Sequence, residues 1–138
     1  MLSATCRFLL LALCFLSSGA FAADYKVSYA IDAGDVTDSG TLACDDKSTC
    51  KIKLERLQLS FKLEFKDPRN RGRVTIRILG EGDRSGCCYF SDGVDEVNRD
   101  VMDSPLRLYL YAGRPRNRNE FIINEPLGIL HLQFVDLK

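Results

Sequence analysis

The chain holds a single histidine, His131. That leaves out the His-x-x-x-His zinc pair, and no paired-cysteine metal spacing replaces it. The nucleophile elbow of α/β-hydrolases is also missing. Neither sign of charge is in excess, with 19 Lys and Arg against 19 Asp and Glu. Non-specific binding of nucleic acid draws on a strong basic excess, so nucleic acid is not expected as a partner. Past residue 22 no apolar run is long enough to cross a bilayer at about 1.5 Å of helix per residue, and stable membrane insertion is not expected either. No long stretch repeats its apolar residues with a helical period. No metal, no cofactor and no catalytic residue is assigned on these grounds.

What is present begins with an address. Arg7 is the one charge in residues 1–22; an apolar run from Phe8 to Leu16 follows, then small residues ending in Ala20-Phe21-Ala22. This is the order of a secretory leader, with cleavage expected after Ala22. Leu13 before Cys14 departs from the small residue a bacterial lipid anchor needs there. Secretion is therefore expected, with the bacterial periplasm the preferred compartment. The remainder, residues 23–138, is the length of one domain. Loss of Arg7 takes the basic count from 19 to 18 against 19 acids, a net charge of −1, and loss of Cys6 and Cys14 leaves four of six cysteines.

The mature chain alternates. Leu57, Leu59, Phe61, Leu63 and Phe65 interleave with polar residues, and after a polar turn Val74, Ile76 and Ile78 resume the pattern. A period of two built from β-branched and aromatic residues marks strands with one buried face. Shorter alternations occur at 25–31, 41–44, 50–54, 87–90, 106–111, 121–124 and 129–137. The stretch 32–40 reads as a loop of turn formers. At Glu55-Arg56 the parity slips, which predicts a β-bulge. Residues 91–105 are polar, with room for a helical turn around 94–102. Eight or nine strands without a long helix predict an all-β antiparallel sandwich or small barrel.

Four cysteines in an oxidising compartment allow three pairings. Cys44 and Cys50 share strand parity across a five-residue loop. As hairpin neighbours their Cβ atoms approach the roughly 4 Å that a bridge needs. Cys87 and Cys88 are adjacent in a strand, so their side chains point to opposite faces. Cross-pairing with Cys44 and Cys50 fits that alternation poorly. The expected set is Cys44–Cys50, with Cys87 and Cys88 as a vicinal bridge or a reactive thiol pair.

Other readings of the turns are weaker. Asp32, Asp35 and Asp38 recur every three residues, unlike the alternate oxygens of an EF-hand. The glycines at 80, 82 and 86 miss the phosphate-loop fingerprints. The acid pairs Asp45-Asp46 and Asp95-Glu96 have no surrounding signature of a glycosidase.

One repeat stands out. Pro68-Arg69-Asn70-Arg71 recurs as Pro115-Arg116-Asn117-Arg118, each time between alternating segments. Chance in an arginine-rich chain, or a trace of duplication, is the plain explanation. The functional one is a clamp in which Arg69, Arg71, Arg116 and Arg118 hold an anion, since the planar guanidinium donates two parallel hydrogen bonds. Such a clamp requires both turns at one end of the fold. Arg107 with Tyr109 and Tyr111, outward on one strand, offers a charge and two stacking faces for a sugar or a partner chain. Small exported β-sandwiches present binding surfaces on a rigid frame. The reading is a non-catalytic binding module for a protein or an anionic glycan or lipid. A hydrolase of the envelope and a structural envelope component are the alternatives. Small periplasmic lysozyme inhibitors share the size, address and β class, without a common motif. The exported protein is expected to begin at Ala23, and intact-mass measurement of the secreted form checks it; a mass that includes Met1 refutes the leader.

Overall fold

The computed structural model describes residues 25–45, 49–66, 72–115 and 126–137. The expected leader and the strand read at 121–124 lie outside them. Nine strands are described: β1 (Tyr25–Ala33), β2 (Val36–Cys44), β3 (Cys50–Leu54), β4 (Leu59–Phe65), β5 (Arg73–Gly80), β6 (Tyr89–Phe90), β7 (Glu96–Asp100), β8 (Leu106–Tyr111) and β9 (Pro126–Val135). They form two antiparallel sheets, one ordered β2-β1-β9-β8-β6 and the other β3-β4-β5-β7. The architecture is the expected all-β sandwich.

The alternations decide what is buried. Val27 and Ile31 of β1, Leu106, Leu108 and Leu110 of β8, and Leu130 and Leu132 of β9 point inward from the five-stranded sheet. Ile52, Leu54, Leu59, Phe61, Leu63, Val74, Ile76 and Ile78 meet them from the other sheet. Tyr25, Phe65 and Phe134 close one end, with Tyr25 edge-on to Phe65 at 5.0 Å between ring centroids. Edge-to-face rings add about 1 kcal/mol beyond the area they bury.

Four local expectations change. First, residues 32–40 are not a loop. β1 runs to Ala33 and β2 starts at Val36, with Ala33 opposite Val36 and Tyr25 opposite Cys44. Gly34, at φ +66°, takes the first place of the two-residue turn, where a hairpin needs a left-handed residue. The polar residues of β2 are the side chains of an edge strand. Second, the parity slip after Leu54 is not a bulge. Glu55–Leu57 is a 3-10 turn closed by Gln58 at φ 52°, and Leu54 pairs with Leu59 as a hairpin. Third, the polar stretch holds strand β7, in which Val97 pairs with Ile76. A 3-10 turn at Val101–Asp103 follows, capped by the Asp100 carboxylate accepting from the Met102 amide at 2.9 Å. β7 lies in the four-stranded sheet between two strands, β6 and β8, of the other, so the chain crosses the sandwich twice here.

The fourth change concerns the cysteines. Cys44 and Cys50 are bonded as expected, with 5.6 Å between their Cα atoms. Yet β2 and β3 are not hairpin partners: β2 pairs with β1, and β3 with β4. Parity is the same whether a chain returns beside itself or passes into the facing sheet, so alternation cannot tell the two apart. The bridge therefore ties the two sheets together at their edge, beside the Tyr25 cluster. Closing a loop of seven residues removes unfolded-state entropy worth about 2 kcal/mol. The double variant Cys44→Ala/Cys50→Ala is expected to lose about that much stability, read as a lower urea midpoint at unchanged slope.

Candidate functional site

The outer faces of the two sheets differ in how they handle charge. On the four-stranded sheet, acids and bases answer one another. Lys51 meets Glu81 at 2.9 Å, Lys62 meets Glu64 at 3.4 Å, and Arg77 meets Glu96 at 3.4 Å and Asp95 at 4.0 Å. Thr75 donates to Asn98 at 2.7 Å from the neighbouring strand. The Lys51 ammonium beside it holds the Glu81 carboxyl below its usual range. Exposed pairs of this kind contribute little to stability, and two further cations of this face, Lys53 and Arg73, have no ion pair among the described residues. The acid pair Asp95-Glu96 is accounted for by Arg77.

The outer face of the five-stranded sheet is built otherwise. β8 carries Arg107, Tyr109 and Tyr111 outward while Leu106, Leu108 and Leu110 are buried. The Arg107 guanidinium lies 5.9 Å from the Tyr109 ring centroid, within the range of a cation–π contact. Among the described residues no carboxylate pairs with it. Tyr111 stacks on Tyr89 of β6 at 5.5 Å with 12° between the rings. Gly113, which follows β8, passes close enough that a Cβ there would touch the Tyr89 ring at 3.7 Å. The Tyr89 side is thereby buried, while Tyr109 remains 39% exposed.

Register extends this surface toward β1 and β2. Arg107 stands opposite His131, and His131 opposite Ala30, whose other neighbour is Ser39. Tyr109 stands opposite Ile129, Ile129 opposite Asp32, and Asp32 opposite Thr37. The small side chains of Ala30, Ser39 and Thr37 leave a groove of about 510 Å³, with His131 and Asp32 along it. Strands lie about 4.8 Å apart, so the groove over β1 and β2 lies roughly 10–15 Å from the tyrosines of β8. Across that span a hydroxyl- and carboxylate-lined trough passes into a cation and then a row of rings.

Of the residues singled out from sequence, Arg107, Tyr109 and Tyr111 are thus brought onto one surface. Arg69, Arg71, Arg116 and Arg118 lie outside the described residues. The strands that lead into their turns are described, and they end apart. Phe65 is beside Tyr25 and the Cys44–Cys50 bridge, whereas Tyr111 pairs with Pro126, two residues before Gly128 approaches Ala33 at the far end of β1. Cys87 and Cys88 are bonded to each other. No group of three or more potential metal ligands occurs among the described residues, and Asp32 and Asp38 border the groove as hydrogen-bonding groups. The sequence pattern does not single out Tyr89 or the groove. The burial of Cys88 and Phe90 turns Tyr89 outward, a signal contained in the alternation, but which sheet it joins depends on pairing with β8. The chain matches no known family, no curated protein and no solved structure.

The Tyr89–Tyr111 stack has its own consequence. Tyr111→Leu keeps an apolar side chain there but removes the ring pair, which contributes about 1 kcal/mol. A stability loss of about that size, with a reduced near-ultraviolet circular-dichroism signal, is expected; unchanged spectra and stability would show the stack to be energetically idle.

Proposed function

We propose that the protein is an exported, non-catalytic binding module that holds an anionic glycan on the outer face of its five-stranded sheet. The observation that carries this reading is the Arg107–Tyr109 pair, a cation at 5.9 Å from an exposed ring, beside the Tyr111–Tyr89 stack. Arginine offers a two-pronged fork to a carboxylate or sulfate. Flat tyrosine rings offer faces on which a sugar ring can lie. Thr37, Ser39, Asp32 and His131 in the adjoining groove supply donors and acceptors for hydroxyls.

A protein partner is less well supported. Protein interfaces have an apolar, desolvated core, and the exposed large apolar side chains of this face do not form one. Tyr109 stands opposite Ile129, whereas Val135 sits opposite Lys26, six residues further along β9. The arginine turns, whose four arginines lie outside the described residues, are not used in this reading; β4 and β8, which lead into them, finish at opposite ends of the sandwich. Two disulfides fit an oxidising compartment, in keeping with the leader pattern.

Heparin and neutral dextran test the reading. Retention on heparin is expected, with release below about 1 M salt, where the screening length falls to roughly 3 Å. Dextran should retain little. Arg107→Ala and Tyr109→Ala should each weaken heparin binding about tenfold, equivalent to about 1.4 kcal/mol, while Lys51→Ala on the opposite face leaves it unchanged. Parent-like binding by both variants, or absence of binding by the parent, removes the proposal.

A further inference from the structure

We infer that Cys87–Cys88 is a thiol–disulfide exchange site, opened by a dithiol reductant, and that its redox state governs how firmly β6 is seated on the five-stranded sheet. The two disulfides among the described residues differ in access. Cys44 and Cys50 are both buried, at 5% and 7% exposure, in the seam between the sheets. Cys88 is fully buried, but Cys87 is half-exposed, and both line a cavity of about 240 Å³ with Leu79, Gly80, Asp95 and Pro115. Exchange rates depend on access to the sulfur under attack. Cys87 is the sulfur an incoming thiolate meets first.

The chemistry closes without a further reagent. One thiolate of the dithiol attacks Cys87 Sγ, the Cys87–Cys88 bond breaks, and Cys88 leaves as a thiolate that takes a proton from water. The second sulfur of the reductant, as a thiolate, then attacks the first within the mixed disulfide. Cys87 is released as a thiolate and is protonated in turn. Two electrons and two protons have passed to the pair, and the reductant has become a disulfide.

The position of the pair gives that step a readout. On one side the backbone is held: the Cys87 amide donates to the Arg84 carbonyl at 2.9 Å, and the Arg84 and Cys87 carbonyls press on Gly80 so closely that a Cβ there would collide with both. On the other side comes β6, two residues long and, among the described residues, paired as a strand only with β8, through Tyr89–Tyr111 and Phe90–Leu110. A ring closed between adjacent residues removes side-chain rotors and restricts the peptide between them. Opening it releases that restriction at the junction of an anchored turn and the shortest strand of the sheet. Such short edge elements open at low free-energy cost. The inference does not depend on what the tyrosine face binds.

The test uses the whole oxidised protein and dithiothreitol. After graded reduction, N-ethylmaleimide trapping and peptide mapping, Cys87 and Cys88 should both be alkylated at concentrations that leave Cys44–Cys50 closed. Hydrogen exchange then reads the consequence. The amides of β6, Tyr89 at the position paired with Tyr111 and Phe90 bonded to the Val94 carbonyl at 2.8 Å, should exchange about tenfold faster after reduction. The Val101 amide, bonded to the Gly72 carbonyl at 2.9 Å, should not change. Cys87→Ser/Cys88→Ser should show the fast β6 exchange with or without reductant. Opening of Cys44–Cys50 first, or of neither bridge, overturns the exchange site. Unchanged exchange of both amides after reduction overturns the coupling to β6.

Discussion

A sheet whose central strands carry Leu, Ile, Val or Phe at most alternate positions cannot leave that face in water, and this protein has two such sheets. Each is the other's cover. Inward Leu, Ile and Phe side chains on both sides are fully buried, and burial of each contributes about 1.5–3 kcal/mol. Nearly everything else follows from making that meeting possible. The chain must pass from one sheet to the other, and it does so at Cys44–Cys50, after Gly80, and on both sides of β7. These passages are where the special chemistry of the chain collects: both disulfides, and the glycine on which two carbonyls rest.

The same requirement explains what could be read from the sequence. Which residues face inward is a local property, because alternation has a fixed period of two. The strands centred on Val27, Phe61, Ile76, Leu108 and Leu132 were legible for that reason. Which sheet a strand joins is not local. Cys44 and Cys50 have equal parity in a hairpin and in a crossing, so their bond was legible while its place in the architecture was not. β7 was obscured because Val97 alone among its residues is buried, and one apolar residue makes no pattern. Gln58 concealed the β3–β4 turn, since a left-handed residue there is usually Gly or Asn. The candidate face was half legible. Arg107, Tyr109 and Tyr111 share a strand, but Tyr89 and the groove at Ala30 and Ser39 reach them only through pairing between distant segments.

The two outer faces show why burial alone does not mark a site. Both are solvated sides of equally amphipathic sheets. On one, Lys51, Lys62 and Arg77 find carboxylates within 2.9–3.4 Å, so a visiting anion would have to displace a partner already in place. On the other, Arg107 rests against a ring, and cation–π attraction leaves the edge of a guanidinium free to donate. The proposed recognition face is therefore distinguished by a cation set against exposed rings rather than by a larger charge. Near-neutral overall charge is compatible with this, because an ordered array of one cation, several rings and several hydroxyls selects by geometry.

The edges of the five-stranded sheet carry the last step. β2 and β6 are its two outer strands. β2 is nine residues long, paired along its whole length with β1, and pinned at Cys44 to the facing sheet. β6 has two residues and no such pin into the other sheet; what precedes it is the ring of Cys87–Cys88. One disulfide thus joins parts distant in the architecture, and its loss is felt through the unfolded chain. The other joins neighbours and closes almost no loop, so chain entropy gives it little to contribute. A bond that adds little global stability yet adjoins the least-paired strand acts locally. Its effect must pass through Tyr89, the next residue, to the ring of Tyr111 that Tyr89 supports.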